Sequence, residues 1–155
     1  MTPASTATPW EAAWQASLAA EQQAVFGYAL LGPRLTAAAE VARARTCQDA
    51  HQQLQDATTV ALVRARLQPV APLADYPSLY PVPDAHAARR LAVRLENDAA
   101  TAWRYLYAQA AAMRPSTPDL AARRAAIRTQ AQQALSGCAV RAVQWRGAPV
   151  PFPGI

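Results

Sequence analysis

Apolar residues recur along this chain at alternating steps of three and four, and polar residues interrupt that rhythm at a similar depth in successive segments. The first segment runs from about Pro9 to Leu31, with Trp14, Leu18, Glu21, Val25, Tyr28 and Gly32 on one seam. Steps of 4-3-4-3-4 mark a helix packed in a bundle, where the buried face returns about every 3.5 residues. Thr8 is suited to cap this helix, Pro9 to its first position, and Glu11 to the positive end of its dipole. Gly32-Pro33 ends it, with the glycine placed to take a left-handed C′ conformation.

A second helix is predicted from about Arg34 to Leu67, with a seam of Val41, Ala44, Gln48, His51, Gln55, Thr58, Leu62 and Ala65. Its middle is polar, which a purely structural seam would not choose. Gln68 to Pro83 (QPVAPLADYPSLYPVP) is too rich in proline to continue as helix. In polyproline geometry, at ~3.1 Å per residue, it spans roughly 50 Å. A helix of about 25–30 residues is ~37–45 Å long, so this connector can run the full length of a bundle. A connection this long has few other uses in a compact domain.

A third helix is predicted over about 84–113, capped by Asp84, with apolar positions Ala88, Leu91, Leu95, Ala99, Ala102 and Leu106, and Glu96 beside the stripe. Thr117 then caps a fourth helix, with Pro118 at its first position. That helix runs over about 117–145 through Ile127, Ala131, Leu135, Cys138 and Ala142. The tail over 147–155 is proline-rich and apolar and is expected to lie extended against the helices. No internal repeat or second domain is visible, so residues 1–155 read as one domain.

The connections decide which residues meet. Helices one and two form a hairpin, and the crossover makes helices two and three parallel. Counting from the turns puts Glu21, Gln48, His51, Glu96 and Gln133 in one layer. The expected fold class is therefore all-α, a four-helix bundle of two antiparallel hairpins joined by a long crossover between helices two and three.

Composition agrees. Alanine, the best helix former, is about a quarter of the chain. Glycine is scarce at five, and hydrophobic residues reach 52% against 16% charged, which excludes wholesale disorder. The net charge of +5 comes entirely from arginine. Arg89, Arg90 and Arg94, or Arg123, Arg124 and Arg128, are candidate phosphate contacts. Intrahelical pairs such as Arg94 with Asp98 are the commoner use of such residues. Cys47 and Cys138 lack metal-type spacing. Their depths differ by ~9 Å, too far for a disulfide, so both are read as buried thiols. Trp10, Trp14, Trp103 and Tyr105 read as packing residues, with Trp10 and Trp14 also placed to meet a second subunit. His86 is expected to be exposed. No phosphate-binding glycine loop, G-x-S-x-G motif or Ser/His/Asp set is present. Nothing near Met1 resembles a signal peptide, and no run approaches the ~18 apolar residues of a membrane span. A cytoplasmic protein is the expectation.

The chain resembles the ferritin-like family, and in particular a bacterial branch of ferritin-like domains of unknown function. The resemblance rests on LAAEQQAVFGYALLG in helix one, RLAVRLEND in helix three, the FPG near the end, and the mid-helix Glu and x-x-His layout. It implies the four-helix fold and, for active members, a di-metal carboxylate site. Glu21 matches the helix-one carboxylate, Gln48-x-x-His51 the helix-two Glu-x-x-His with glutamine for glutamate, and Glu96 the helix-three carboxylate. The fourth-helix Glu-x-x-His has no counterpart, since helix four holds no acid after Asp119 and no histidine. Glu21, Gln48, His51 and Glu96 are thus the candidate metal ligands, and no catalytic residue is assigned.

A set so depleted in charge holds two divalent ions poorly. The first expectation is a non-catalytic, metal-free domain with a structural or protein-interaction role, with a homodimer or other homo-oligomer as the expected assembly. The alternative is a reduced single-metal site with iron or zinc, or a di-iron site, performing oxidase or peroxide chemistry. Nucleic-acid binding ranks below both, because Met1 to Thr8 carries no basic side chain.

Overall fold

The computed structural model describes residues 7–146. Among these the chain forms four long helices and no strand: α1 (Pro9–Leu31), α2 (Ala38–Arg64), α3 (Ala85–Ala112) and α4 (Pro118–Arg146). None is long and apolar enough to cross a membrane. The expected tail over 147–155 lies outside the described residues.

Helix starts follow the sequence closely. Glu11 reaches back to accept from both the backbone N–H and the hydroxyl of Thr8, each at 2.8 Å. Asp84 accepts from the backbone N–H of Ala87 at 2.8 Å, and Thr117 from that of Leu120 at 3.2 Å. These contacts satisfy donors that a helix N-terminus leaves open.

The junction between α1 and α2 differs from expectation. Gly32 is right-handed, with φ −51°, and begins a 3-10 turn over Gly32–Arg34. The chain then buries Leu35 before α2 starts at Ala38, four residues later than expected. The left-handed position falls instead at Arg66, φ 60°, just past the end of α2. There Leu67 N–H reaches the Leu62 carbonyl and Arg66 N–H the Val63 carbonyl, the paired bonds of a Schellman ending.

Side-chain contacts fix the helix directions. Glu40 with Arg89 and His51 with Glu96 advance together, so α2 and α3 are parallel. Val25 with Gln48, and Glu21 with His51, run α1 against α2. Arg124 with the Ala110 carbonyl and Arg128 with Tyr107 run α3 against α4. Gln130 with Thr58 and Arg43 with the Gln144 carbonyl link α4 antiparallel to α2.

The crossover earns its length by docking along α1. Gln15 donates to the Gln68 carbonyl and accepts from Val70 N–H, both at 2.8 Å, and Gln22 donates to the Val70 carbonyl at 2.9 Å. Tyr76 then packs on Phe26 with ring centroids 5.1 Å apart, and Tyr76, Leu79 and Val82 are buried.

The core divides into two apolar clusters. One holds Tyr28, Leu31, Cys47, Leu91, Leu95 and Trp145; the other holds Trp14, Leu18, Leu62, Trp103, Ile127 and Cys138. On every helix a polar residue separates the two clusters: Glu21, His51, Glu96 and Arg141.

Candidate functional site

Glu21, His51 and Glu96 are each 0% exposed and meet in the layer between the two apolar clusters. His51 Nδ1 lies 2.6 Å from Glu21 Oε2, and its Nε2 lies 3.1 Å from Glu96 Oε1. A neutral imidazole has one N–H and one bare nitrogen, so only an imidazolium can donate to a carboxylate at both ends. Burial by itself pulls the His51 pKa down. The hydrogen bonds and charges of Glu21 and Glu96 overcome it and hold the pKa at about 9, against an ordinary 6.5. Near neutral pH the ring therefore carries a proton on each nitrogen.

Helix four completes the layer with a cation. Arg141 Nε donates to Glu96 at 3.1 and 3.0 Å from its two oxygens, and Arg141 Nη2 lies 3.3 Å from Cys138 Sγ. Burial pushes the Glu96 pKa up, yet His51 and Arg141 together bring it below the ordinary carboxylate value. Two carboxylates thus face one imidazolium and one guanidinium. Balanced pairing of this kind is what lets charges persist away from water, because an unpaired buried ion costs several kcal/mol or more.

Aromatic donors fill the remaining positions. The Tyr28 hydroxyl donates to Glu96 Oε1 at 2.6 Å and accepts from Trp145 Nε1 at 3.0 Å. Trp103 Nε1–H donates to Glu21 Oε1. The Tyr28 ring also stacks on His51, centroids 5.6 Å apart. Burial and the adjacent Glu96 push the phenol's pKa far up, so Tyr28 stays a neutral donor. Cys47 and Cys138 border the layer as free, buried thiols, both pushed up in pKa mainly by burial.

The structure therefore brings together three of the residues selected from sequence and leaves two outside. Gln48 is half-buried, and its amide donates to the Val25 carbonyl at 3.4 Å rather than to the layer. Gln133 is exposed. The α3–α4 turn offsets the two helices, so Arg141 rather than residue 133 comes opposite Glu96. Arg141 had a signal, as the one charge on the α4 stripe of Cys138, Ala142 and Trp145. Tyr28 lay on an apolar seam and Trp103 read as a packing residue, and nothing distinguished their polar ends.

Other sequence expectations resolve locally. Arg94 pairs with Asp98 at 3.7 Å and Arg89 with Glu40 at 2.6 Å, so these arginines have acidic partners. His86 is exposed, and so is Tyr105, which was expected to pack. Trp10 and Trp14 pack on one another, centroids 6.1 Å apart.

As arranged, the donor set fits a metal poorly. His51 has no lone pair while both nitrogens donate, Glu96 is occupied by Tyr28, His51 and Arg141, and a guanidinium sits where a cation would have to approach. Among the described residues no group of three or more His, Cys, Asp or Glu side chains is arranged to hold a metal ion.

Among the described residues, fold and site define a helical protein of four long helices with a closed ion-pair layer across its core. The chain belongs to the family described as a domain of unknown function (DUF4439), whose model matches residues 13–155. It is similar to a conserved hypothetical protein, rv2844, from Mycobacterium tuberculosis, known from a crystal structure. The two are 29% identical with a TM-score of 0.75, over 92% of this chain and 98% of that one. No curated protein matches.

Proposed function

We propose that this chain is a ferritin-like four-helix bundle in which an internal ion-pair layer stands where metal-bearing relatives place their ions. It acts as a non-catalytic, metal-free structural or protein-interaction domain. The observation that carries this reading is the double engagement of His51 between Glu21 and Glu96, closed by Arg141 on Glu96. The parallel run of α2 and α3, joined by the long crossover, supports the ferritin-like topology.

Protein expressed in medium replete with iron and zinc should carry neither in stoichiometric amount by elemental analysis. Stoichiometric metal in the wild type that disappears in His51→Ala would overturn the proposal in favour of a reduced metal site.

A further inference from the structure

Helix α2 buries five of its 27 residues, where α3 buries eleven of 28, so most of its surface faces outward. The five, Ala44, Cys47, His51, Thr58 and Leu62, form its inner seam. A second seam runs along the outside, where Gln53, Asp56, Val60 and Val63 step 3-4-3 and are all exposed. That is the spacing by which one helix packs on another. Val60 and Val63 are 48% and 59% exposed within one turn, whereas Tyr105 and Val140 stand singly on α3 and α4. Two exposed valines alone say little. Their flanks are informative. Asp56 lies four residues before Val60 and Arg64 four after it, and both are exposed. Asp56 accepts from the neutral amide of Gln52 at 2.9 Å. Among the described residues it makes no ion pair, and neither does Arg64, nor Arg123 of α4, which lines one groove with Val60 and Arg64.

We propose that a second copy of this chain docks here, α2 against α2, antiparallel about a two-fold axis at Val60. In such a crossing each residue before the axis faces its mirror position after it on the other copy. Val60 meets the partner's Val60, Asp56 meets the partner's Arg64, and Arg64 meets the partner's Asp56, with Arg123 close by. Ala57 faces the partner's Val63, so a small side chain receives a branched one on each side of the axis. Ala122 and Ala126 keep the α4 flank of the seam low. Charge also selects this arrangement against its rivals. A crossing one turn away, at Asp56 or at Arg64, sets like charges on the axis, and a parallel pairing stacks acid on acid and arginine on arginine. The proposal names a partner for the interaction role given above. Its test reads assembly rather than metal content, so it fails separately from the metal-free reading.

Sedimentation equilibrium of the full chain at pH 7 should show reversible dimerisation, at the micromolar or weaker affinity expected of a small interface. Asp56→Arg and Arg64→Asp should each weaken the dimer about tenfold or more, because each turns both symmetry-related pairs into repulsions. The double variant Asp56→Arg/Arg64→Asp re-forms both pairs in reverse and should recover the affinity to within about threefold of wild type. Val60→Arg places two cations on the axis and should leave only monomer. All substituted positions are exposed, so thermal midpoints taken on dilute, monomeric samples should stay close to wild type, which separates assembly from folding. For the register, oxidation should join two Val60→Cys chains through a disulfide at the axis. Asp49→Cys, well away from the axis on the same helix, should not cross-link, and Cys47 and Cys138 are buried. The proposal is overturned if the wild type stays monomeric up to about 1 mM, or if Val60→Arg dimerises as the wild type does. It is equally overturned if the double variant fails to recover what the single ones lose, or if Val60→Cys cross-links no better than Asp49→Cys.

Discussion

Raising the pH from about 6.5 to about 8 should weaken folding by about 1.5 kcal/mol, and His51 should be the cause. Its pKa is about 9 when folded and 6.5 when exposed, so the folded state holds the proton more tightly. A group raised on folding contributes its full stabilisation below the unfolded value and loses it as pH climbs through the folded one. At about 1.4 kcal/mol per tenfold change in proton affinity, the total is about 3 kcal/mol, and roughly half is lost by pH ~8. Stopping there leaves the Cys47 and Cys138 thiols, pushed up by burial, out of the measurement. On the acid side the sign reverses. Glu96 is depressed, so its contribution is lost as pH falls below the ordinary carboxylate range. Urea denaturation followed by tryptophan fluorescence reads the effect, since Trp103 and Trp145 contact the layer. His51→Gln should flatten the alkaline limb whatever its absolute stability. A wild type whose stability is level across this range, or a His51→Gln variant with the same slope, would refute the imidazolium assignment.

Three further outcomes follow from local geometry, each measured by urea denaturation. Tyr28→Phe deletes a hydroxyl that donates to Glu96 and accepts from Trp145, leaving a buried indole N–H unmet; the expected cost is about 1–3 kcal/mol, and a loss below about 0.5 would contradict the network. Gly27→Ala should destabilise by about 1 kcal/mol despite better helix propensity, since its Cβ would sit 2.5 Å from Leu95 Cδ1 in the packed core. Arg66→Gly should stabilise by about 0.5–1 kcal/mol by relieving a left-handed backbone at an exposed position, and no gain would mean the strain is absent.

Much of the fold was legible because it is written in local chemistry. Thr8-Pro9 and Gly32-Pro33 bracket α1, and Asp84 and Thr117-Pro118 start the last two helices, each through residues within four positions of the boundary. The meeting of Glu21, His51 and Glu96 was also legible, because connector lengths fix helix depth to within about a turn. What resisted was anything set by contacts between distant segments. The docking of the crossover depends on Gln15 and Gln22 finding backbone groups 48 to 55 residues away. Gln48 shares the Glu-x-x-His spacing, yet the rotation of α2 aims its amide at the Val25 carbonyl. Gln133 failed through a few residues of offset at the α3–α4 turn, and the long side chain of Arg141 filled the place instead.

If the layer excludes metal as proposed, the barrier it sets follows from the His51 proton and Arg141. At pH 7 a divalent ion binding His51 must first displace a proton held with a pKa of about 9, which weakens apparent affinity about 100-fold. It must then displace or neighbour Arg141, whose Nε sits 3.0 Å from Glu96. On the proposed reading, charge at residue 141 decides between ion pair and metal site. Arg141→Glu tests this with little change in reach, because a glutamate's carboxylate oxygens lie as many bonds from Cα as the arginine Nε. Without metal the variant gathers three carboxylates around one imidazole and should lose about 3–5 kcal/mol, as when a buried pair is broken. Zn²⁺ or Co²⁺ should restore much of that loss, visible as a thermal midpoint that climbs with metal concentration. The wild type, assayed alongside at pH 7, should show no such climb. Equal stabilisation of both proteins would mean that Arg141 does not exclude the ion and that the layer is a metal site after all.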